Sequence, residues 1–244
     1  MNRPQNISKK DFQLLQEKYS NLDDVINKIN NGYPIQYLIG NVDFYGYLIK
    51  VNPNVLIPRF ETEGLVEKTI DYIKKMDLCN ASVLDIGTGS GCISIVLKKE
   101  LPSLEVTAID KSRLAIRTAK NNGKLNKVDI NFISKDLFKF NLVNNYDVII
   151  SNPPYISPGD KVSDELKYEP YNAIYVLGNP LKYYEEIFKI GNKVLNKKYL
   201  IALEIDEDQG KNLKRLAKKY YSNAKIILDK DLAGKDRYLF IINE

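Results

Sequence analysis

The sequence predicts an α/β fold on a seven-stranded sheet that is parallel except for its last strand, preceded by a small helical region and a β-hairpin. After residue 80, strand-like apolar runs alternate with amphipathic helical runs, and strands joined through helices pair in parallel. The last two strand-like runs are too close in sequence for a crossover helix, so we expect an antiparallel hairpin there. A glycine-rich turn follows the first of these strands and opens a helix.

The first 80 residues show a different pattern. Apolar residues between positions 8 and 30 recur at three- and four-residue spacing, which predicts one helix or two broken near Ser20 and Asn21. Two short strands are expected at 42–45 and 47–51, around Gly46, and a helix from Glu61 to about Met76. We expect three regions: a helical region at 1–40, a hairpin linker at 41–60 and an α/β domain at 61–244.

The regular elements of the α/β domain follow from periodicity. Strands are predicted at 82–86, 105–109, 129–133, 147–151, 200–205, 224–228 and 237–242. Helices are predicted near 91–100, 112–122, 180–195 and 208–221.

Composition excludes several classes of enzyme. The 244-residue chain contains no histidine, which excludes Ser-His-Asp and Cys-His hydrolases and His-ligated metal sites. Its two cysteines, Cys79 and Cys92, cannot form a four-thiolate site, and no metal is expected. The net charge of +5 is spread over a mixed-sign sequence with no basic stripe, so direct nucleic-acid binding is not expected. With no secretory signal and no membrane-length apolar run, we expect a cytoplasmic protein without membrane contact.

The glycine turn indicates a nucleoside ligand that carries an amino acid. The run departs from the dinucleotide pattern G-x-G-x-x-G because its sixth position is Cys92. A helix N-terminus suits a carboxylate, and the acidic residue before the glycines suits an ammonium group. This matches S-adenosylmethionine (AdoMet) better than NAD, and the predicted sheet is that of Rossmann-like AdoMet-dependent methyltransferases. The expected cofactor-binding residues of this turn are Asp85, Gly87, Thr88, Gly89, Ser90 and Gly91.

The next two strands end in residues suited to the nucleoside. Asp110 follows a strand at the position where a carboxylate accepts from both ribose hydroxyls, which NAD sites share. After the third strand, Asp136 and Leu137 offer a polar edge and an apolar face to an adenine, although an ordinary exit from a strand would look similar.

The most specific motif is Asn152-Pro153-Pro154-Tyr155, at the end of a buried strand. Because proline has no N–H, the segment offers acceptors only. The side-chain oxygen of Asn152 and the carbonyl of Pro153 can both accept from one planar –NH2 group, with Tyr155 over its flat face. This arrangement favours methylation of an amide or exocyclic amine nitrogen, and leaves open adenine N6 of a nucleic acid or a glutamine side chain.

The flanking sequence resembles the release factor glutamine N5-methyltransferase family from about Pro34 to the end. The motifs that carry the resemblance are PIQYLIG at 34–40, FYG at 44–46, VNPNVLIPRFETEGLVE at 51–67 and DLAGKDR at 231–237. The resemblance implies methyl transfer from AdoMet to the glutamine of the Gly-Gly-Gln loop of class-1 peptide chain release factors. It implies that Gly87 to Gly91, Asp110, Leu137 and Asn152 contact AdoMet, and that Asn152 to Tyr155 hold the glutamine.

A sister family methylates a ribosomal-protein glutamine, but the stretch from Pro58 to Glu63 is more similar to the release-factor branch. Arg59 is expected to orient this loop beside the active site and to bind substrate, with a surface ion pair as the alternative. Glu61, Thr62 and Glu63 also open the helix, where acidic side chains suit its dipole.

The sequence departs from the family in several places. The resemblance implies that region 1–40 docks the substrate and that 61–244 is the AdoMet-dependent methyltransferase domain. Region 1–40 is shorter than the family's helical N-terminal domain. Val176, Leu177 and Asn179 replace a glycine pair and an acidic residue, and Asp206 stands where the family has glycine.

We therefore expect a monomeric protein-glutamine N5-methyltransferase that acts on class-1 release factors, with Asn152, Pro153 and Tyr155 as catalytic residues. The alternatives are an adenine-N6 methyltransferase of DNA or RNA, a ribosomal-protein glutamine methyltransferase, and a non-catalytic AdoMet-binding module.

Overall fold

A computed structural model describes residues 4, 7–139 and 145–244. Residues 1–3 and 5–6 of the predicted helical region lie outside this description. The region 8–30 forms two helices, α1 (Lys9–Lys18) and α2 (Asp23–Asn30), so the predicted break near Ser20 and Asn21 is confirmed. Ser8 caps α1 by accepting from the N–H of Asp11. A third short helix, α3 (Ile35–Ile39), was not predicted. Pro34 was interpreted only as the end of the preceding helix, whereas it is also the N-cap of α3.

The predicted hairpin consists of β1 (Asn41–Phe44) and β2 (Tyr47–Lys50), paired antiparallel. Its two turn residues, Tyr45 and Gly46, both have positive φ, which matches the twist of the strands. Phe44 and Ile49 are buried in the same apolar cluster as residues of the main sheet. The hairpin and the sheet thus share a core, and the division into regions at 40 and 60 stays a prediction.

The main sheet has seven strands in the order β5-β4-β3-β6-β7-β9-β8. Pairs from β5 to β7 are parallel, whereas β9 is antiparallel to both of its neighbours. The predicted fold class, with one antiparallel strand at the end of the chain, is therefore confirmed. The strands are β3 (Ser82–Ile86), β4 (Glu105–Asp110), β5 (Asn131–Ser134), β6 (Tyr146–Ser151), β7 (Leu195–Glu204), β8 (Lys225–Lys230) and β9 (Asp236–Asn243).

Helices cover both faces of this sheet. They are α4 (Phe60–Lys75), α5 (Cys92–Glu100), α6 (Arg113–Leu125), α7 (Tyr171–Ile174), α8 (Lys182–Val194) and α9 (Gly210–Tyr220). Successive strand residues point to opposite faces, so Val83 packs into the core with α4 and α5, and Leu84 into the core with α8 and α9. Burial on both faces explains why the inner stretches of the central strands, such as 148–150 of β6 and 200–203 of β7, are continuously apolar rather than alternating. Within the described residues, no helix is long and apolar enough to cross a membrane.

The segment between β6 and α8 covers the carboxyl edge of the sheet. Ile156 pairs with Tyr175 in an isolated parallel bridge, and α7 and a short 3₁₀ turn at Asp164–Tyr168 lie between them. We call residues 156–178 the covering segment. It also contacts the N-terminal helices, since the hydroxyl of Tyr168 donates to the carbonyl of Asn31 at 3.0 Å.

Candidate active site

The glycine turn lies at the carboxyl end of β3, where the parallel strands β4 and β6 flank it on opposite sides. Ligands of open α/β sheets bind at such a switch point. Gly87 and Gly89 have φ values of 76° and 55°, and both line a cavity of about 460 Å³. A Cβ added to Gly87 would meet no atom within 4 Å, so its backbone presents an open surface to this first cavity. The volume falls within the roughly 300–1,000 Å³ typical of small-molecule sites.

The other predicted residues of the turn do not lie on the wall of this cavity. Thr88 and Ser90 are buried, and the hydroxyl of Thr88 donates to Asp85 Oδ2 at 2.6 Å. A Cβ on Gly91 would lie 3.1 Å from the Cβ of Ala119, so this glycine permits close packing of the turn against α6. These residues stabilise the turn on the side that faces away from the cavity, and their direct contact with a cofactor stays a prediction.

Asp85 lies directly behind the turn and is fully buried. Its Oδ2 accepts hydrogen bonds from Thr88 and Ser94, both at 2.6 Å. Its Oδ1 is buried and has no partner among the described residues. Burial raises the pKa of this carboxyl to about 6, against the two hydrogen bonds that lower it. An acceptor atom without a partner at this position would suit an ammonium group or a bridging water.

Asp110 ends β4 and does line the first cavity. Its two carboxylate oxygens accept from the backbone N–H groups of Gly89 (3.0 Å) and Ser112 (2.8 Å). These bonds fix the carboxylate beside the glycine turn and leave further lone pairs for a ligand, because a carboxylate has about four acceptor sites. Burial raises the pKa of Asp110, and the two backbone donors oppose that rise.

Asp136 and Leu137 also lie on this wall, as the sequence predicted. The Oδ1 of Asp136 accepts from the N–H of Phe138, which turns the chain so that Phe138 and Tyr183 meet edge to face at 5.3 Å. Both aromatic rings line the cavity. Sequence reasoning missed them, although Phe138 directly follows the predicted pair.

A second cavity, of about 280 Å³, adjoins the first. Asn152, Pro153 and Pro154 line both cavities, whereas Tyr155 lines only the second. The predicted motif therefore forms the wall between a chamber beside the glycine turn and a chamber beside the covering segment. The charged residues that line the second cavity are Arg59, Glu61, Glu204 and Arg237.

A chain of hydrogen bonds runs behind Asn152. The Nδ2 of Asn152 donates to the Thr62 hydroxyl at 3.1 Å, and that hydroxyl donates to Glu204 Oε2 at 2.7 Å. Thr62 was predicted to open α4, but its side chain makes no cap bond and points to β7 instead. Sequence reasoning gave Glu204 no role.

Burial raises the pKa of Glu204 to about 7, and the hydrogen bond from Thr62 is the first influence that lowers it. The charged and titratable groups that face Glu204 are Glu61, Arg237, Tyr155, Tyr184 and Tyr238.

Arg59 contacts the covering segment through an ion pair with Glu169, whose side chain is completely buried. The other oxygen of Glu169 accepts from the N–H of Ile57 at 2.9 Å. This ion pair is mostly buried, so it is not the surface ion pair considered as the alternative, and the orienting and substrate-binding roles of Arg59 stay predictions. Glu169 gave no sequence signal, because its partners lie more than 100 residues away.

The four departures from the family pattern have distinct environments. Val176 is buried, whereas Leu177 is exposed and lines the first cavity. The Oδ1 of Asn179 accepts from the N–H of Leu181 just before α8. Asp206 similarly accepts from the N–H of Asp208 before α9. The two polar residues therefore stabilise turns.

This fold, with two joined cavities at the switch point of its sheet, is that of a methyltransferase. Residues 68–169 match the family model described as Methyltransferase small domain. A 16S rRNA methyltransferase of T. thermophilus, solved with AdoMet and guanosine, shares the fold: the TM-score is 0.60 at 14% identity, over 84% of this chain and 50% of that one.

Comparison with curated proteins identifies the family. A release factor glutamine methyltransferase of Flavobacterium psychrophilum is 41% identical over 89% of this chain and 78% of its own length. Another, from Bacteroides thetaiotaomicron, is 36% identical over 94% of this chain and 83% of its own length. The chain belongs to the release factor glutamine methyltransferase family, which confirms the resemblance in the sequence motifs.

Proposed function

We propose that this enzyme transfers a methyl group from AdoMet to the side-chain amide nitrogen N5 of the glutamine in the Gly-Gly-Gln motif of class-1 peptide chain release factors. The observation that carries the proposal is the shared wall: Asn152, Pro153 and Pro154 line both cavities. A methyl donor in the first cavity and an amide in the second would meet across these residues. Membership of the family supports glutamine, rather than adenine, as the acceptor.

The residues of the first cavity fit AdoMet. Gly87 and Gly89 expose backbone without a Cβ, and Asp110 offers carboxylate oxygens for ribose hydroxyls. Leu137 and Phe138 supply apolar surface for an adenine. Asp85 is buried behind this cavity, and its unpaired Oδ1 suits the ammonium group, directly or through water. AdoMet, when bound, supplies an electrophilic methyl group on a sulfonium.

The chain's own contribution is to bind and orient the acceptor amide. An amide nitrogen is a poor nucleophile because its lone pair is delocalised into the carbonyl. The Asn152 Oδ1 and the Pro153 carbonyl would accept its two N–H groups, and so favour the rehybridised nitrogen of the transition state. Alignment of the nitrogen with the methyl group supplies a further part of the rate. As the nitrogen takes the methyl group, AdoMet would leave as the neutral thioether S-adenosylhomocysteine, and the nitrogen would lose one of its two hydrogens to water as a proton. A methylated, positively charged amide is a strong acid, so this step needs no strong base, in keeping with a chain that has no histidine.

The N-terminal helices are the region that we propose docks the release factor. Leu15, Val25 and Leu38 form a small core of their own, so these helices can present a surface distinct from the sheet. Tyr33 packs edge to face on Tyr168 of the covering segment, with ring centroids 5.0 Å apart. Docking at these helices would therefore act next to the segment that covers the site. The proposal includes a monomeric enzyme that works in the cytoplasm.

The decisive experiment incubates the enzyme with labelled AdoMet and a class-1 release factor, followed by mass mapping of the Gly-Gly-Gln peptide. We expect one methyl group on the glutamine and none on DNA, RNA or ribosomal protein tested in parallel. Asn152→Ala should keep AdoMet affinity within several-fold and lower turnover by at least about 10²-fold. Asn223→Ala, a matched change at an exposed position, should leave turnover unchanged. Methylation of adenine instead, or full turnover by Asn152→Ala, would contradict the proposal.

A further inference from the structure

The orientation of the Asn152 side chain decides whether it can serve the reaction. One end of an amide is an acceptor oxygen and the other a donor nitrogen, and the two have nearly the same shape. Only the oxygen can accept from a substrate –NH2 group. If the side chain turned over, it would present a second donor to the substrate and repel it. Something in the protein must therefore select one orientation.

Three elements meet at this side chain. Asn152 follows β6, Thr62 lies in the first turn of α4, and Glu204 ends β7. The Nδ2 of Asn152 lies 3.1 Å from the Thr62 oxygen, which in turn lies 2.7 Å from Glu204 Oε2. Thr62 and Glu204 are both buried, so few waters compete for these bonds.

The direction of the chain is set at its carboxylate end. An ionised carboxylate only accepts, so the single hydroxyl hydrogen of Thr62 must go to Glu204. The hydroxyl oxygen is then left as an acceptor, and it takes a hydrogen from Asn152. This bond holds the nitrogen end of the amide toward Glu204 and turns the oxygen end away from it.

We infer that Thr62 and Glu204 are positioning residues, which lock the Asn152 amide with its oxygen toward the acceptor group of the substrate. The inference rests on the proposed function, because it assigns Asn152 the role of accepting from the substrate amide. Neither residue needs to touch the substrate for this effect. Both act through the donor-to-acceptor direction of the hydrogen bonds that run from Asn152 through Thr62 to Glu204.

Two variants reverse or break this chain with little change in shape. Glu204→Gln puts an –NH2 donor beside Thr62, which frees the Thr62 hydrogen to donate to Asn152 and favours the flipped amide. Thr62→Val removes the relay altogether. Thr62→Ser keeps the hydroxyl and should therefore retain the activity that Thr62→Val loses. Thr69→Val is the matched control, because Thr69 is a buried threonine of the same helix whose hydroxyl bonds only within α4.

The first measurement is steady-state kinetics of each variant with release factor, together with AdoMet affinity by calorimetry. We expect Thr62→Val and Glu204→Gln to lower kcat by about 10²-fold, with AdoMet affinity unchanged within several-fold. Thr62→Ser should stay within several-fold of the unaltered enzyme, and Thr69→Val should match it. Full kcat in Thr62→Val or Glu204→Gln would overturn the inference. A Thr62→Ser variant as slow as Thr62→Val would also overturn it, since packing alone would then explain the loss.

The second measurement does not depend on catalysis. The side-chain amide signal of Asn152 in a ¹H–¹⁵N spectrum, assigned with Asn152→Ala, reports whether its hydrogens are bonded. We expect slow hydrogen exchange in the unaltered protein and in Thr69→Val, and a shifted, faster-exchanging signal in Thr62→Val. An unchanged signal in Thr62→Val would refute the positioning role. If the unaltered enzyme fails to methylate release factor, the proposed function fails, and this spectrum still decides whether Thr62 orients Asn152.

Discussion

The ion pair between Arg59 and Glu169 should couple the covering segment energetically to the loop before α4. The Glu169 side chain is 0% exposed, and that of Arg59 is 33% exposed. Removal of one partner of a buried pair costs about 3–5 kcal/mol, because the other charge is left without a partner. Partial exposure of Arg59 lets water screen the pair, so we expect Arg59→Met to destabilise the protein by about 2–3 kcal/mol.

A double-mutant cycle isolates the interaction itself. In Arg59→Met the buried carboxylate keeps only the N–H of Ile57. Adding Glu169→Gln removes that stranded charge while an amide oxygen can still accept from Ile57. The double variant should therefore be more stable than the sum of the two single changes predicts, by at least about 1 kcal/mol.

The assay is unfolding in guanidinium chloride, monitored by far-UV circular dichroism. The free energies of unfolding are compared between variants whose m-values agree. The control is Asp164→Asn, which breaks the exposed pair with Lys167 in the same segment and should cost less than about 0.5 kcal/mol. A coupling energy below about 0.5 kcal/mol between Arg59 and Glu169 would refute the reasoning.

Three further outcomes can be measured. Gly91→Ala should lower the free energy of unfolding by about 2–4 kcal/mol, because φ is 86° and the new Cβ would lie 3.1 Å from Ala119. Gly234→Ala should lower it by only about 1 kcal/mol, because φ is 79° but the space around the residue is open. Equal losses would contradict the close packing at Gly91. Asp110→Asn should weaken AdoMet binding about 10- to 100-fold by calorimetry, because charged hydrogen bonds contribute about 1.5–3 kcal/mol, and unchanged affinity would remove Asp110 from the cofactor site. With a pKa raised to about 7, Glu204 gains a proton below that pH and then donates to Thr62, so kcat should fall as the pH drops through 7. Glu204→Gln should lose this dependence in a pH-rate profile, and a profile unchanged by that substitution would argue against the assignment.

The sequence was sufficient to predict the sheet, the glycine turn and the Asn152 motif, because each depends on residues close together in the chain. Periodicity defines strands and helices, and topology brings the carboxyl ends of β3, β4 and β6 together. Asp110, Asp136 and Asn152 therefore lie around one cavity system, as expected.

The partners of the motif could not be predicted in the same way. Thr62 is 90 residues from Asn152 and 142 from Glu204, and each has an ordinary local explanation as a helix-opening or strand residue. Glu169 lies 110 residues from Arg59 in a segment without periodicity. Thr88 and Ser90 show a different limit of the sequence: they lie in the glycine motif and their side chains are buried, so the motif alone does not say which of its residues face the cavity. Pairwise contacts across the sheet edge depend on tertiary packing, which a single sequence does not specify.

The position of β9 has a consequence for how the chain folds. β9 is inserted between β7 and β8, and among the described residues β8 pairs with no strand but β9. During synthesis β8 emerges before the strand that pairs with it, so the sheet cannot be assembled in chain order. Until residues 236–243 are made, the edges of β7 and β8 have unpaired backbone groups, and such edges invite mispairing. The last step of sheet formation is therefore expected to be insertion of β9, and the nascent chain is most vulnerable to aggregation just before it.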